Sequence, residues 1–285
     1  MMKIKILDTI EEMEQVEELQ RIVWPGSETD VVPSHLLVTV AHNGGLVLGA
    51  YEGDQLVGLL FGFAGLYHTP DGPRPKHCSH QMGVHPDARD SGIGFALKRA
   101  QWQMVRQQGL DRVTWTYDPL LSRNGHLNIG RLGAVCNTYL RDVYGAMRDG
   151  LNAGLSSDRF QVDWWVNTRR VAGCLGPNPR PASSLADFEE ANAQLLYNAH
   201  RVDDLLRPGA AIATPQANLL LAEIPVDFMA LKASDFELAR DWRVFTRELF
   251  ETCFSVGYLV TDCIFDRSAG QPRSFYVLTF GEATL

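Results

Sequence analysis

Twelve residues constrain this chain more than any other segment: Gly83-Val84-His85-Pro86-Asp87-Ala88-Arg89-Asp90-Ser91-Gly92-Ile93-Gly94. A short run ends in a proline, two closely spaced glycines follow, and Ile93–Gln108 then carries helical periodicity closed by Gly109. Glycines at the entry of a helix let the backbone turn with its N–H groups pointing outward. The first N–H groups of a helix have no partner inside it, and the helix dipole adds partial positive charge there. A strand, this turn and a helix therefore make a cradle for a phosphate-bearing cofactor.

Absent residues narrow the choice. A nucleotide P-loop needs Lys-Ser/Thr after its glycines, whereas Phe95-Ala96 follow Gly94. The dinucleotide fingerprint needs a third glycine where Leu97 stands. No Gly-x-Ser-x-Gly elbow occurs, so a serine hydrolase has no anchor. His77, Cys78, His80 and His85 do not suggest a metal site, because His77 and His80 on one strand face opposite sides.

A chain of 285 residues suits one large or two small domains. Its net charge of -8 argues against a nucleic-acid partner. Five widely spaced cysteines without a Cys-x-x-Cys pair fit buried thiols in a reducing compartment. No run approaches the roughly 18 apolar residues of a membrane helix, and Met1–Asp8 reads as a first strand rather than a signal peptide. A cytoplasmic protein without membrane contact is expected.

Lys3–Leu7 reads as a strand and Ile10–Val23 as a helix capped by Asp8-Thr9, with a second helix at Ser34–His42. Strands follow at Leu46–Tyr51 and Gln55–Tyr67, then a polar, proline-rich loop at His68–Pro75 and a strand at His77–His85. After the glycine turn and its helix comes a strand at Arg112–Tyr117, with further strands at Ala134–Leu140 and Arg159–Asn167. The segment between those last two, Tyr144–Gly154, is longer than a hairpin needs and could line an acceptor pocket. Gly173–Pro181 punctuates the chain as a linker, with a weak helix at Ser184–His200. A strand at Asn218–Ile224, a helix at Ser234–Phe254 and strands at Tyr258–Phe265 and Ser274–Phe280 complete it. The predicted organisation is a domain over 1–172, a linker with a weak helix over 173–217, and a C-terminal segment over 218–285. That segment, too small for its own core, packs on the first domain or on a second copy in a homodimer.

Arg89-Asp90-Ser91-Gly92-Ile93-Gly94 between a strand and a helix resembles the coenzyme A loop of the GNAT superfamily of N-acetyltransferases. The order of elements over residues 1–172 is that of its fold. The resemblance implies an α/β (α+β) protein: a mixed, mostly antiparallel sheet flanked by helices, here with a C-terminal βαββ extension. It also implies a coenzyme A thioester as cosubstrate, acetyl-CoA or succinyl-CoA, and no metal. By the same resemblance, a small-molecule amine is expected to attack the thioester directly in a cleft where the fourth and fifth strands splay. Met82, Gly83 and Val84 are the implied backbone partners of the pantetheine arm and the thioester carbonyl. Arg89, Asp90, Ser91, Gly92, Ile93, Gly94, Phe95 and Ala96 are the implied pyrophosphate cradle.

His80, on the fourth strand, is the candidate base, with a surface histidine as the plain alternative. Asn124-Gly125…Arg131-Leu132-Gly133-Ala134 is similar to a shortened form of the family's Asn-x-x-Ala…Lys-Leu-Gly-Phe segment. Asn124 is then a candidate for the coenzyme arm, although Asn-Gly is also a common turn. Ile129 falls where many members carry the tyrosine that protonates the thiolate, which leaves Tyr139 or Tyr117 as candidate acids, each also readable as a packing tyrosine.

Gly130–Val135, Tyr144-Gly145-x-Met147-Arg148-Asp149-Gly150 and Asp158–Trp165 are similar to a group of long bacterial GNAT-related acyltransferases, some associated with N-acylamino-acid racemases. That resemblance implies an amino acid acceptor and succinyl-CoA as donor, with Arg123, Arg141, Arg159 and Arg169 as unranked candidates for the carboxylate. A fold that binds coenzyme A without catalysis, as a sensor or scaffold, is the competing expectation.

Overall fold

The computed structural model describes residues 2–26, 28–145, 154–268 and 270–281. The chain divides into two compact units. The first holds the described residues up to Trp115 together with Trp165–Asn167; the second holds those from Thr116 onward, apart from that return.

In the first unit, β1 (Met2–Ile6) leads into α1 (Ile10–Val23) and α2 (Ser34–His42), then β2 (Leu46–Glu52), β3 (Gln55–Thr69) and β4 (Gly72–Val84). A 3₁₀ turn at Pro86–Ala88, α3 (Ile93–Gln107) and β5 (Arg112–Tyr117) follow, with the last two residues of β5 falling in the second unit. Thr9 caps α1 through a reciprocal pair with Glu12, as Asp8-Thr9 suggested. The strands lie in the order β1-β2-β3-β4-β5, antiparallel except for the β4–β5 pair. α1 and α2 bury Met13, Val16, Leu19 and Leu37 against Val47, Leu59 and Phe61. α3 buries Ile93 and Leu97 on the opposite face, against Leu48, Ala50 and Leu60. Gly58 permits this approach, since a Cβ there would stand 2.7 Å from Ile93 Cγ2. Trp165–Asn167 are tied in by Trp102 Nε1, which donates to the Val166 carbonyl at 2.8 Å, and by Val166 N–H to Asp111 at 3.0 Å.

His68–Pro75, expected as a loop, is instead paired: the β3–β4 hairpin runs to Thr69↔Gly72 and includes Pro73 and Pro75. Two prolines at alternate positions lack N–H groups on the same edge of the strand, so pairing on the other edge survives.

In the second unit, α4 (Ser122–Gly125) runs into a π turn at His126–Arg131, then β6 (Val135–Leu140), β7 (Arg159–Trp165), α5 (Arg169–Leu175) and α6 (Leu185–Glu190). β8 (Gln194–Leu195), β9 (His200–Val202), β10 (Leu205–Arg207) and β11 (Leu219–Ile224) precede α7 (Phe228–Ser234), α8 (Phe236–Ser255), β12 (Tyr258–Asp266) and β13 (Arg273–Phe280). The strand order is β7-β6-β12-β13-β11-β8, with β9 and β10 a separate hairpin. Phe160 sits 4.7 Å from Phe250 and 5.5 Å from Tyr276, ring centre to ring centre, at the heart of this core.

The observed division differs from the expected boundary at residue 172. The C-terminal strands carry on the sheet of β6 and β7, with Val260 paired to Cys136, so residues after Tyr117 share one core with the tail. The region 173–217 holds short helices and strands rather than a bare linker, and the helix expected to His200 ends at Glu190. α8 turns Ala239, Trp242, Thr246, Leu249, Phe250 and Cys253 inward and leaves Phe236 exposed.

Candidate active site

β4 and β5 pair over two residues, His77↔Val113 and Cys78↔Thr114; beyond them Ser79–Val84 has no β5 partner among the described residues. His85 N–H donates to Val57 of β3 at 2.8 Å. Successive peptide groups along a strand point to opposite edges, so the N–H groups of Val84 and Met82 face the edge that β5 has left, and that of Gly83 faces β3.

The turn follows directly. His85 Nδ1 accepts from Asp87 N–H at 3.3 Å, Arg89 Nε donates to the Val84 carbonyl at 3.5 Å, and Ser91 Oγ donates to the Ala88 carbonyl at 2.6 Å. Asp90 and Gly92 both take left-handed backbone, φ 65° and 85°. A Cβ at Gly92 would meet nothing within 4 Å, so the conformation, not crowding, calls for glycine there. Gly92 caps α3, and Ala96 N–H makes the first turn's bond to the Gly92 carbonyl at 3.0 Å. The N–H groups of Ile93 and Gly94 precede that bond and have no partner in the helix. Arg89, Ser91 and Gly92 are exposed, and Gly94, Phe95 and Ala96 half-buried. These groups fit an anionic pyrophosphate: unpaired N–H donors at a helix N-terminus, with Arg89 in the same turn, although the Ile93 side chain itself is buried in the core.

His80 sits at a bulge, because Phe61↔Gln81 and Gly62↔Ser79 leave it without a counterpart on β3. Its exposed ring lies edge-on to Phe61 at 5.7 Å and 6.0 Å from Phe63, and desolvation by its surroundings lowers its pKa. His77 faces the other side, as strand alternation required. It is fully buried with neither ring nitrogen hydrogen-bonded. Burial, reinforced by the nearby Lys98, lowers its pKa to about 4. Lys98 of α3 is also buried: its Nζ donates to Ser79 Oγ at 2.8 Å and Gln101 Oε1 at 3.1 Å, and lies 3.7 Å from the centre of the Trp115 ring. Burial lowers its pKa to about 7. Nothing in the sequence pattern flagged this lysine, which reads as one more charged residue on an amphipathic helix.

The other expected site residues belong to the second unit. Tyr117 is buried, its hydroxyl 3.2 Å from that of Tyr276, and burial raises its pKa well above the usual phenol value. Tyr139 donates to Asp158 Oδ2 at 2.8 Å, and burial, then the Asp158 charge, raise its pKa as well. Asn124 closes a turn on Leu121 through its backbone, at 2.8 Å, and Ile129 is fully buried in the core. Arg141 pairs with Glu251, and Arg159 is buried, with Nη1 on the Asp158 carbonyl at 2.9 Å and 3.9 Å from Asp118. Arg123 and Arg169 are exposed. Within the segment expected to line an acceptor pocket, residues 146–153 lie outside the described ones. Among the described residues no three His, Cys, Asp or Glu side chains converge as a metal site, and no helix is long and apolar enough to cross a membrane.

A family model described as "Acetyltransferase (GNAT) family" matches residues 10–123, a span that contains β4, the glycine turn and α3. No curated protein matches the sequence. Among solved structures, the chain is similar to the ribosomal-protein-S18-alanine N-acetyltransferase from Escherichia coli, with 13% identity over 59% of this chain and 96% of that one and a TM-score of 0.44. A NatC complex bound to Gag peptide and CoA matches at 14% identity over 57% and 96%, TM-score 0.44. An aminoglycoside acetyltransferase from an uncultured soil metagenomic sample matches at 21% over 41% and 78%, TM-score 0.36. At those TM-scores the likenesses carry no argument, and the family match stands on the sequence. Over residues 10–123 this chain is similar to the acetyltransferase (GNAT) family.

Proposed function

We propose that the protein transfers an acyl group, acetyl or succinyl, from a coenzyme A thioester to the amine of a small molecule, an amino acid among the candidates. One observation carries this reading: the left-handed Gly92 turn opens α3 directly after a strand whose other edge β5 pairs over only two residues. The turn and Arg89 would hold the pyrophosphate, and Met82 and Val84 N–H groups would bind the pantetheine arm and polarise the thioester carbonyl. The amine attacks the carbonyl carbon, a C–N bond forms, and the C–S bond breaks with its electron pair leaving on sulfur. His80, neutral near pH 7 because its pKa is lowered, takes the proton that the nitrogen sheds. The hydroxyls of Tyr117 and Tyr139 are engaged with Tyr276 and Asp158, and their raised pKa values make them poorer acids. The reading therefore leaves the thiolate to be protonated from solvent.

The test is thermal unfolding with coenzyme A, acetyl-CoA, succinyl-CoA, ATP and NAD. A ligand at 100 times its Kd adds about 2.7 kcal/mol of stability. The reading expects a shift of several degrees with coenzyme A species alone, abolished in Gly92→Val, and acyl transfer to at least one amine. Binding without turnover across a broad amine panel would favour a coenzyme A sensor, and no shift would leave the glycine turn structural.

A further inference from the structure

β3 outruns the strand beside it. β2 pairs with it only as far as Leu46↔Gly62, whereas the β3–β4 hairpin continues to Thr69↔Gly72. On the other side, β5 pairs with β4 only at His77 and Cys78. Residues 63–69 and 72–76 therefore form a two-stranded arm that extends past both neighbours. A lone two-stranded ribbon is marginal in water. Tyr67 braces this one, its ring 6.1 Å from that of Trp165 and 4.6 Å from the Arg112 guanidinium. Even so, Phe63 is 38% and Leu66 64% exposed.

The two edges of the arm are built differently. His85 N–H donates to the Val57 carbonyl, so the peptide groups of Leu59, Phe61, Phe63, Gly65 and Tyr67 turn toward β4. Those of Ala64, Leu66 and His68 turn outward. Across the ribbon, Pro73 and Pro75 stand opposite His68 and Leu66, at the outward positions of β4. They have no N–H to offer, which closes that edge to another strand. β1, the terminal strand of this unit, is guarded by Lys3 and Lys5. Residues 63–69 have neither device, for they include no Pro, Lys, Arg, Asp or Glu.

This edge fits a second copy of itself. The unpaired stretch begins at Phe63, just past the last β2 pair, and ends with the strand at Thr69, so its midpoint is Leu66. An antiparallel strand related by a two-fold axis sets Leu66 against Leu66 of the other copy and Ala64 against His68. Every outward N–H and C=O of the three residues then finds a partner. The side chains agree with this register: two exposed leucines meet on one face, and on the other Tyr67 lies across from Gly65 and Phe63 from Thr69.

We infer that the protein self-associates through this edge, two β3 arms pairing antiparallel about Leu66 to join two copies into one continuous sheet. So short a seam makes a small interface, and a reversible dimer of micromolar affinity is expected. Its formation needs neither bound coenzyme A nor turnover.

Analytical ultracentrifugation across the micromolar range should show the wild type passing from monomer to dimer. Leu66→Pro removes only an outward N–H, as Pro73 and Pro75 do, and should weaken the dimer about tenfold or more. Leu66→Lys should do the same by setting two ammonium groups side by side, and it decides the matter if the proline variant fails to fold. Cysteines read the register, since directly paired residues lie about 5.5 Å apart between Cα atoms, within disulfide reach. Mild oxidation should link Leu66→Cys chains through position 66 of both copies, as peptide masses would show. Thr69→Cys chains, roughly 20 Å apart at that position, should stay unlinked there. A wild type that remains monomeric throughout overturns the pairing. So does a dimer indifferent to Leu66→Lys, or a Thr69→Cys protein that links at position 69 as readily as Leu66→Cys does at 66.

Discussion

The two units bury charge in opposite ways. In the second, buried carboxylates meet guanidinium groups: Asp118 holds Arg243 in a bidentate pair, Asp158 holds Arg247 at 2.8 and 2.9 Å, and Glu223 holds Arg273 at 2.7 and 2.8 Å. Burial pushes the Asp158 pKa up, but bonds from Arg247, the Asp142 N–H and Tyr139 outweigh it and keep it below the usual carboxylate value. In the first unit, Ser79, Gln101 and an indole ring hold the buried Lys98, and the His77 imidazole is packed in with no hydrogen bond at all. Paired charge keeps its form over a wide pH range, whereas charge held by neutral groups gives up its proton near neutrality. The unit that carries the Gly92 turn therefore holds the buried groups that change charge at and below neutrality.

The sharpest way to break this contrast is Asp118→Ala, which leaves the Arg243 guanidinium buried without its carboxylate. A loss of about 3–5 kcal/mol is expected by denaturant unfolding. Acid comes next. An unfolded chain takes up the His77 proton near pH 6.5 and the folded protein only near 4, so stability falls as pH drops through that window. The loss is roughly 3 kcal/mol, read as a lower midpoint at pH 4 than at pH 6.5, and His77→Phe should reduce it. Lys98→Met removes a buried ammonium and should gain roughly 1–3 kcal/mol at pH 6. Because the folded Lys98 loses its proton near pH 7 and the unfolded one near 10.5, wild-type stability rises between those values, and the Met variant should lack that rise. Arg240→Ala, which breaks an exposed pair with Glu237, should move the melting temperature by no more than about one degree. A large loss there would mean that the second unit's surface charges act as a network.

The sequence made the glycine turn legible because it is local: Gly92, Gly94, a preceding strand and a following helix are contiguous, and backbone conformation dictates the residues. The helices α1 and α3 were readable for the same reason, through the Thr9 cap and the Gly92 turn that open them and their apolar spacing. The bulge at His80 was not, since an extra residue in β4 shows only once β3 lies beside it. That one residue shifts the phase of the strand. The division of the chain was hidden for a related reason. Residues 173–181 are rich in glycine and proline and look like a boundary, but what groups Thr116–Leu140 with the tail is sheet pairing over long separations, such as Cys136 with Val260. Tyr139 and Tyr117 looked equally available in one dimension, and only their partners, Asp158 and Tyr276, distinguish them.

The return of Trp165–Asn167 to the first unit bears on how the protein is made. Trp102 gives its indole proton to Val166, and Arg106 binds the Asn167 side chain at 3.0 Å. On the ribosome, the half that carries the Gly92 turn is therefore unfinished when its own strands have emerged, and it stays so until Asn167 has followed. During that interval the indole of Trp102 lacks its native acceptor, so translation itself sets when this half of the protein becomes complete.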